Sequence, residues 1–292
     1  MTPREHTVSL PTHDVGVLEW GPPDGELVVA LHGFPDTAWT WRAVAPTLAE
    51  AGYRVAAPFL RGYAPTDVPL DGDYSVSALA DDAKALHERL GGGSSTALVG
   101  HDWGAIAAGA LAADPSSPYA RVALLAVPPL GWTNPTSATA RTWISALVRQ
   151  PVHSWYIAYN QVPGLAERHF TWLTRRLWRT WSPGYDATED LAHLDRAVPD
   201  RARAKAVLSY YRALASRGSR AALAEPSGPL LYLHGDRDGA FDPRFFPVAA
   251  SRITSPSRAA MVRGAGHFLH LEEPAEVTGH LLEFLREAAT AR

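Results

Sequence analysis

An aspartate with a glycine two positions away on either side is the residue whose setting points most directly to covalent chemistry. The segment Gly100-His101-Asp102-Trp103-Gly104 follows the apolar run Thr96 to Val99 and precedes a helical stretch from Ala105 to Ala113. This pattern is typical of a nucleophile elbow, a sharp strand-to-helix turn that presents its central side chain. A carboxylate there needs no deprotonation and can form an alkyl ester that water then cleaves. Simple capping of the helix is the alternative role for Asp102.

A second motif could stabilise the negative charge that ester hydrolysis develops. His32-Gly33-Phe34-Pro35 comes directly after the apolar run Leu27 to Leu31. In folds with a nucleophile elbow, a loop in this place supplies one backbone N–H of the oxyanion hole, and the residue after the nucleophile supplies the other. We therefore expect the N–H groups of Phe34 and Trp103 to form the oxyanion hole, with both residues also contacting a substrate. An ordinary strand-ending turn is the alternative for the loop taken alone.

An acid and a histidine follow two later apolar runs, in the chain order that such folds use after the nucleophile. The first segment is His234-Gly235-Asp236-Arg237-Asp238, and the second is Gly264-Ala265-Gly266-His267. We predict that Asp238 orients His267 and stabilises its imidazolium. Asp236 is the competing acid, although its position is more typical of a turn former or a partner of Arg237.

Short apolar runs alternate with helical stretches along the chain, and this alternation would position the motifs. Runs that are apolar on both faces are typical of parallel strands covered by helices. Six of them are present: Leu27–Leu31, Tyr53–Ala57, Thr96–Val99, Val122–Val127, Leu230–Leu233 and Ala259–Val262. Helical spacing appears from Ser75 to Leu90 and from Glu276 to Ala288, and His6 to Leu10 with Val15 to Trp20 is typical of an edge hairpin. The pattern predicts an α/β fold with a doubly wound, mostly parallel sheet.

The alternation stops after Pro128-Pro129 and resumes at Gly228-Pro229-Leu230. A structureless loop of this length is uncommon in a compact domain. We therefore predict a helical cap, or lid, over residues 129–222, inserted into a core of residues 1–128 and 223–292. Six of the ten tryptophans lie in the predicted cap, where they would form its own small core or face a cleft above the strand ends: Trp132, Trp143, Trp155, Trp172, Trp178 and Trp181.

The composition excludes several other classes of protein. With 27 basic and 30 acidic residues among 292, the net charge of -3 gives no electrostatic reason to expect nucleic acid or an acidic membrane surface as a partner. The absence of cysteine excludes disulfides, thiolate nucleophiles and Cys-ligated metals. His270, three residues after His267, suggests a metal pair, but no third ligand supports one, so we predict no metal and no cofactor. No signal-like start and no apolar run of the roughly 18 residues a spanning helix needs is present, which favours a cytoplasmic protein outside the membrane. We expect a monomer or a homodimer.

The motifs at residues 32–35 and 100–104 together resemble the epoxide hydrolase branch of the α/β-hydrolase superfamily, and the resemblance covers nearly the whole chain. Members carry two lid tyrosines whose hydroxyls hold the epoxide oxygen. The stretch Tyr156 to Glu167 resembles the family's Tyr-Gln-x-Tyr-Phe-Gln-x-Pro-Gly-x-Ala-Glu, with Ile157 and Asn160 as departures. Tyr210-Tyr211-Arg212 resembles the family's Trp-Tyr-Arg. The resemblance therefore implies that Tyr156 and Tyr211 are the two donors; plain packing is the alternative for each.

The resemblance also implies a reaction. A small lipophilic epoxide and water would give a vicinal diol through an alkyl ester on Asp102, which water activated by His267 and Asp238 then hydrolyses. A haloalkane or haloacid dehalogenase would use the same nucleophile, but such enzymes usually place Asn after His-Gly or Arg after the nucleophile, where this chain has Phe34 and Trp103. A non-catalytic ligand-binding homologue is a further alternative, and a broken triad would be its sign.

Overall fold

A computed structural model of the chain describes residues 1–287, and within them eight strands form a single sheet. The strands are β1 (Arg4–Ser9), β2 (Asp14–Trp20), β3 (Glu26–Leu31), β4 (Tyr53–Pro58), β5 (Ala97–His101), β6 (Arg121–Leu125), β7 (Leu230–Gly235) and β8 (Arg258–Val262). Their order across the sheet is β1-β2-β4-β3-β5-β6-β7-β8. Strand β2 pairs antiparallel with both β1 and β4, and the other five described pairings are parallel. The predicted doubly wound, mostly parallel sheet is thereby confirmed.

Helices follow most of the strands. They are α1 (Ala45–Glu50), α2 (Val76–Arg89), α3 (Trp103–Ala112), α4 (Ala140–His153), α5 (Trp155–Asn160), α6 (Leu165–Arg168), α7 (Phe170–Trp181), α8 (Thr188–Ala197), α9 (Arg201–Arg212), α10 (Phe245–Ala250), α11 (Leu269–Glu272) and α12 (Pro274–Glu287), with short 3₁₀ helices at Ala38–Ala43, Leu130–Trp132 and Gly218–Leu223. The predicted helix from Glu276 corresponds to α12, and its last predicted residue, Ala288, lies outside the described residues. In the described part of the chain, no helix combines the length and the apolar character needed to cross a membrane.

The central strands are buried along their whole length because helices cover the sheet. Every residue of β5, β6 and β7 is buried, and so is all of β3 after its first residue. This is why these strands read as continuous apolar runs in the sequence. Helix α3 packs on β5 and β6, and α12 packs on β7. The polar motif loops therefore emerge together at the carboxyl ends of β3, β5, β7 and β8.

Helices α4 to α9 form the connection between β6 and β7. The tryptophans of this segment divide between interior and surface, since Trp178 and Trp181 are fully buried whereas Trp172 is exposed. The indole N–H of Trp178 donates a hydrogen bond to the carbonyl oxygen of Pro35 at 2.8 Å, and its ring stacks on Phe268. These contacts join the connection to the loops that follow β3 and β8. Its status as a separate cap over residues 129–222 stays a prediction.

The elbow depends on a very close approach between α3 and β3 at Gly104. A Cβ atom added to Gly104 would lie 2.3 Å from the carbonyl oxygen of Leu31. We therefore expect Gly104→Ala to lower the free energy of unfolding in urea by about 1–3 kcal/mol, the usual range for overpacking. Gly279→Ala in α12 is the matched control, because the added Cβ would meet no described atom within 4 Å and alanine favours a helix. Equal stability of the two variants would contradict the close packing.

Candidate active site

Asp102 occupies the sharp turn between β5 and α3. Its backbone has φ 50 and ψ -114, a strained region for a residue other than glycine. The side chain makes no capping hydrogen bond to α3, so the structure does not use this carboxylate as a helix cap. Instead, Oδ1 accepts a hydrogen bond from the backbone N–H of Phe34 at 2.8 Å. Gly33 permits this approach, since a Cβ there would lie 2.3 Å from the Cβ of Asp102.

The two residues predicted for the oxyanion hole both adjoin Asp102. Phe34 offers its N–H from the loop after β3, and Trp103 is the first residue of α3. The Trp103 ring lines the cavity above Asp102 and packs edge-on against Tyr211, with ring centroids 5.2 Å apart. The Phe34 ring is buried and packs edge-on against the same tyrosine, with ring centroids 5.0 Å apart. Their roles in binding an oxyanion stay predictions.

His267 lies between two carboxylates. Its Nδ1 donates a hydrogen bond to Oδ2 of Asp238 at 2.9 Å, and its Nε2 lies 3.5 Å from Oδ2 of Asp102. Asp238 is itself fixed, because its Oδ1 accepts from the backbone N–H groups of Ala240 and Phe241 at 2.7 and 3.0 Å. Asp236, the competing acid, is exposed and accepts from the N–H of Gly264 at 2.8 Å. The structure thus brings Asp102, His267 and Asp238 together and leaves Asp236 in a turn.

The charges of this triad determine its protonation. Burial disfavours the imidazolium, but Asp238 and Asp102 outweigh it and raise the pKa of His267 to about 10. Burial would raise the pKa of Asp238, yet the positive charge of His267 holds it below its usual value. The resting site therefore holds His267 as an imidazolium whose ring lies between Asp238 and Asp102. Conversion of Asp102 into a neutral ester would remove one of these anions, so the pKa of His267 would fall and its Nε2 would become available as a base.

Two tyrosines complete the site from the helices between β6 and β7. Tyr156 on α5 and Tyr211 on α9 are both buried, and their rings are perpendicular at a centroid distance of 5.5 Å. Burial raises the pKa of each above its usual value, so both hydroxyls keep their protons at neutral pH. The Tyr211 hydroxyl makes no hydrogen bond of normal geometry to a described residue, although Tyr156 and the Trp103 indole lie close enough to interact with it. It is therefore a donor available to a ligand.

A cavity of about 200 Å³ contains these groups. Asp102, Trp103, Tyr156, Tyr211 and His267 all line it, and most of the remaining wall is apolar: Ile106, Val127, Leu130, Ile157, Leu214 and Phe241. Ile157, one of the two departures from the family stretch, is therefore a wall residue. Asn160, the other departure, is buried and does not line this cavity. The arrangement combines a carboxylate, a histidine and two hydroxyl donors with a lipophilic surround.

Sequence reasoning missed a buried polar cluster beside the triad. Asp36, His101 and His270 each bring one oxygen or nitrogen atom within 4.8 Å of the others. Burial raises the pKa of Asp36 above its usual range and lowers the pKa of His270 to about 3. His101 contacts the triad directly, since its Nε2 lies 3.0 Å from the carbonyl oxygen of His267. Asp36 follows the His-Gly-Phe-Pro motif and His101 precedes the nucleophile, so adjacency to the motifs was the available signal.

Comparison with known proteins gives a consistent result. The family model described as alpha/beta hydrolase fold matches residues 26–274. Epoxide hydrolase A of Mycobacterium tuberculosis is 30% identical, over 97% of this chain and 97% of its own length. An epoxide hydrolase of Caballeronia sordidicola is 28% identical over 97% of this chain and 94% of its own.

Solved structures show the same similarity. The crystal structure of epoxide hydrolase A from Mycobacterium thermoresistibile matches with a TM-score of 0.75 and 28% identity, over 98% of this chain and 99% of that chain. A haloalkane dehalogenase variant from Bradyrhizobium elkanii has a TM-score of 0.78 over 99% of both chains, at 21% identity. At this identity, the similarity to the dehalogenase shows a shared fold only.

Proposed function

Because the chain belongs to the α/β-hydrolase family and to its epoxide hydrolase branch, we propose that it hydrolyses epoxides to vicinal diols through an ester on Asp102. The observation that carries the proposal is the position of Tyr156 and Tyr211 in the cavity that also holds Asp102 and His267. Two buried hydroxyl donors beside a carboxylate suit an oxygen that gains negative charge as a strained ring opens. Hydrolysis of a carboxylic ester would not require two hydroxyl donors in the cavity wall beside the carboxylate.

The first chemical step is ring opening. Oδ2 of Asp102 attacks a ring carbon and forms the ester bond, while the electron pair of the breaking C–O bond moves to the epoxide oxygen. Tyr156 and Tyr211 donate hydrogen bonds to the developing alkoxide. Oδ1 stays hydrogen-bonded to the N–H of Phe34, which leaves Oδ2 as the attacking atom. Trp103 and the apolar wall hold the carbon skeleton of the substrate.

The second step is hydrolysis of the ester. His267, freed from the Asp102 charge, first gives its Nε2 proton to the alkoxide left by ring opening and becomes a neutral imidazole. Oriented by Asp238, it then takes a proton from water, and the resulting hydroxide attacks the carbonyl carbon of the ester. Oδ1 becomes the oxyanion and is stabilised by the N–H groups of Phe34 and Trp103. Collapse breaks the bond between that carbon and the former Oδ2, which leaves with the diol. Protons for the diol come from water through His267, so this sequence needs neither a metal nor a cofactor.

The cavity also limits the substrate. An apolar cavity of about 150 Å³ holds one benzene ring, so the space of about 200 Å³ here suits a compact lipophilic epoxide with one ring or a short chain. Residues 129–222 would act as the lid that closes over this space, on a core formed by residues 1–128 and 223–292. Dehalogenation remains the rival reaction, but the Phe34 side chain offers no polar group to a halide. A non-catalytic ligand-binding role would leave the assembled triad without a purpose.

A single turnover of styrene oxide in oxygen-18 water, with enzyme in excess, tests the proposal. Mass analysis of the peptide that holds Asp102 should show one heavy oxygen, while the diol should be unlabelled. Heavy oxygen in the diol with none in Asp102 would instead mean direct attack by water. Absence of diol, together with halide release from a panel of small chloroalkanes, would identify a dehalogenase. Saturable binding without either reaction would favour the non-catalytic role.

The two tyrosines should affect ring opening and not folding. We expect Tyr156→Phe and Tyr211→Phe each to slow single-turnover ester formation by about 10²-fold, as loss of one preorganised donor does. Each has a matched control on its own helix. Tyr159→Phe removes a hydroxyl that contacts His169 at 2.6 Å, and Tyr210→Phe removes one that donates to the carbonyl oxygen of Arg61 at 2.6 Å. Unchanged rates for Tyr156 and Tyr211 would show that other groups hold the epoxide oxygen.

A further inference from the structure

Helix α4 presents an apolar face to solvent. Ile144, Leu147, Val148 and Val152 recur at the spacing of one helix face, and each is between 48% and 76% exposed; together they are called the α4 stripe. The other side of the helix buries Ala146, and α4 packs against α10. The helix therefore buries a small side chain and exposes its large aliphatic ones. Contiguous exposed apolar side chains of this kind mark an interaction surface.

The same region is cationic, although the chain as a whole is not. No acidic residue occurs between Asp114 and Glu167, and residues 140–181, which span α4 to α7, contain six arginines and one glutamate. That glutamate, Glu167, is itself buried against Arg212 at 2.7 Å. Beside the α4 stripe, Arg141 is exposed and forms no ion pair with a described residue, whereas Arg149 is exposed but pairs with Asp242 at 3.2 Å. The net charge of -3 is an average that conceals this positive patch.

Aromatic residues extend the surface beyond the end of α4. Trp155, two residues after α4, packs edge-on against Trp172, with ring centroids 6.3 Å apart. The guanidinium of Arg176 lies over both rings, at 5.6 and 5.8 Å from their centroids. Trp172 is 53% exposed. Tryptophan and arginine together are typical of the boundary between lipid and water, because each combines an apolar or weakly hydrated body with a polar group.

The α4 helix also borders the catalytic cavity. Gln150 of α4 and Ser154, which follows it, both line the cavity that contains Asp102. Tyr156 lies on the next helix, α5. A surface that contacts the α4 stripe is therefore separated from the cavity by about one helix diameter, roughly 10 Å. A lipophilic substrate dissolved in such a surface would be concentrated beside the site that consumes it.

We propose that the α4 stripe and the adjoining arginines dock on an anionic lipid bilayer, from which lipophilic epoxides reach the cavity. The choice of substrate rests on the proposed function, whereas the docking does not. An apolar helix face bordered by cations matches the hydrocarbon and the headgroups of such a bilayer. A second copy of the chain fits less well, because a two-fold contact through the α4 stripe would bring Arg141 of one copy towards the arginines of the other.

Vesicle co-sedimentation tests the proposal with the whole protein. Vesicles of phosphatidylcholine alone are compared with vesicles that also contain phosphatidylglycerol. We expect binding to the anionic vesicles, weaker binding in high salt, and a loss of about tenfold or more in affinity for Val148→Ser/Val152→Ser. Leu70→Ser/Leu223→Ser is the matched control, because both leucines are at least as exposed as Leu147 but lie outside the α4 stripe. The control should bind like the wild type.

Three other outcomes overturn the docking. Equal sedimentation of the stripe variant and the wild type, or no sedimentation of either, would remove lipid as the occupant. A dimer in sedimentation velocity that the stripe variant disrupts, without vesicle binding, would assign the face to a second copy. Turnover of soluble styrene oxide should be the same in wild type and stripe variant. Vesicle binding by a wild-type protein that opens no epoxide would keep the docking and refute the proposed function, so the two failures are distinguishable.

Discussion

Replacing Asp102 by alanine should abolish diol formation, with kcat reduced by a factor on the order of 10⁴ or more. The reason is that the carboxylate forms the bond to substrate in the proposed mechanism, and no other described acid in the cavity can take its place. Asp238 lies on the far side of the imidazole, at Nδ1 of His267. Product formation under steady-state conditions and the adduct mass after a single turnover are the two measurements. Both should be negative for Asp102→Ala.

Asp236→Ala is the control for this experiment. Asp236 also follows a strand end, but it is exposed and bonded to the N–H of Gly264, so its removal should leave kcat nearly unchanged. Thermal unfolding separates loss of chemistry from loss of fold in Asp102→Ala. Near wild-type turnover by a correctly folded Asp102→Ala protein would falsify the covalent mechanism, whatever the identity of the substrate.

Changing His267 to glutamine should stop the reaction after the ester on Asp102 has formed. Ring opening does not require a base, so we expect a burst of about one ester per enzyme molecule followed by steady-state turnover slowed by a factor on the order of 10³. Intact-protein mass should increase by the mass of the epoxide, with the adduct on Asp102. Asp238→Asn should show a partial form of the same behaviour, because the imidazole would lose its orienting partner.

The His267→Gln variant should also change how the free energy of unfolding depends on pH. The folded-state pKa of His267 is about 10, above the usual value for an unfolded chain of about 6.5. Its ion pairs therefore contribute stability that is fully present below about pH 6.5 and is lost as pH rises towards 10. The stability difference between wild type and His267→Gln should shrink over that interval in urea unfolding.

If His267→Gln shows neither the burst nor the adduct, His267 would be needed for ester formation rather than for hydrolysis of the ester.

The sheet was predictable because its strands are buried on both faces and must be apolar throughout. The runs Leu27 to Leu31 and Leu230 to Leu233 lie within β3 and β7, and only their ends differ from the observed ones. Helix α3 begins at Trp103, two residues before the predicted Ala105. The elbow turns within a single residue, Asp102, so the helix starts directly after it. A helix propensity pattern does not reveal so short a turn.

Two features were not predictable from the pattern, for different reasons. Asp36 and His270 are polar residues that the fold buries beside the triad, and periodicity carries no information about a polar side chain enclosed by distant segments. Helix α4 illustrates the opposite case. Its spaced aliphatic residues are typical of a helix that packs on a core, yet the structure turns that face outward. Periodicity identifies an apolar face but not what the face contacts.

The hydrogen bond from Phe34 makes the two oxygens of Asp102 unequal. In the proposed mechanism Oδ1 is retained by that bond, whereas Oδ2, which lies 3.5 Å from Nε2 of His267, leaves with each product. The oxygen of the water that attacks the ester takes its place when the carboxylate is restored. Each diol therefore carries an oxygen atom that entered the protein one cycle earlier, and only the first product takes an atom installed during biosynthesis. Oxygen label supplied in the water of one cycle would therefore appear in the diol of the next cycle.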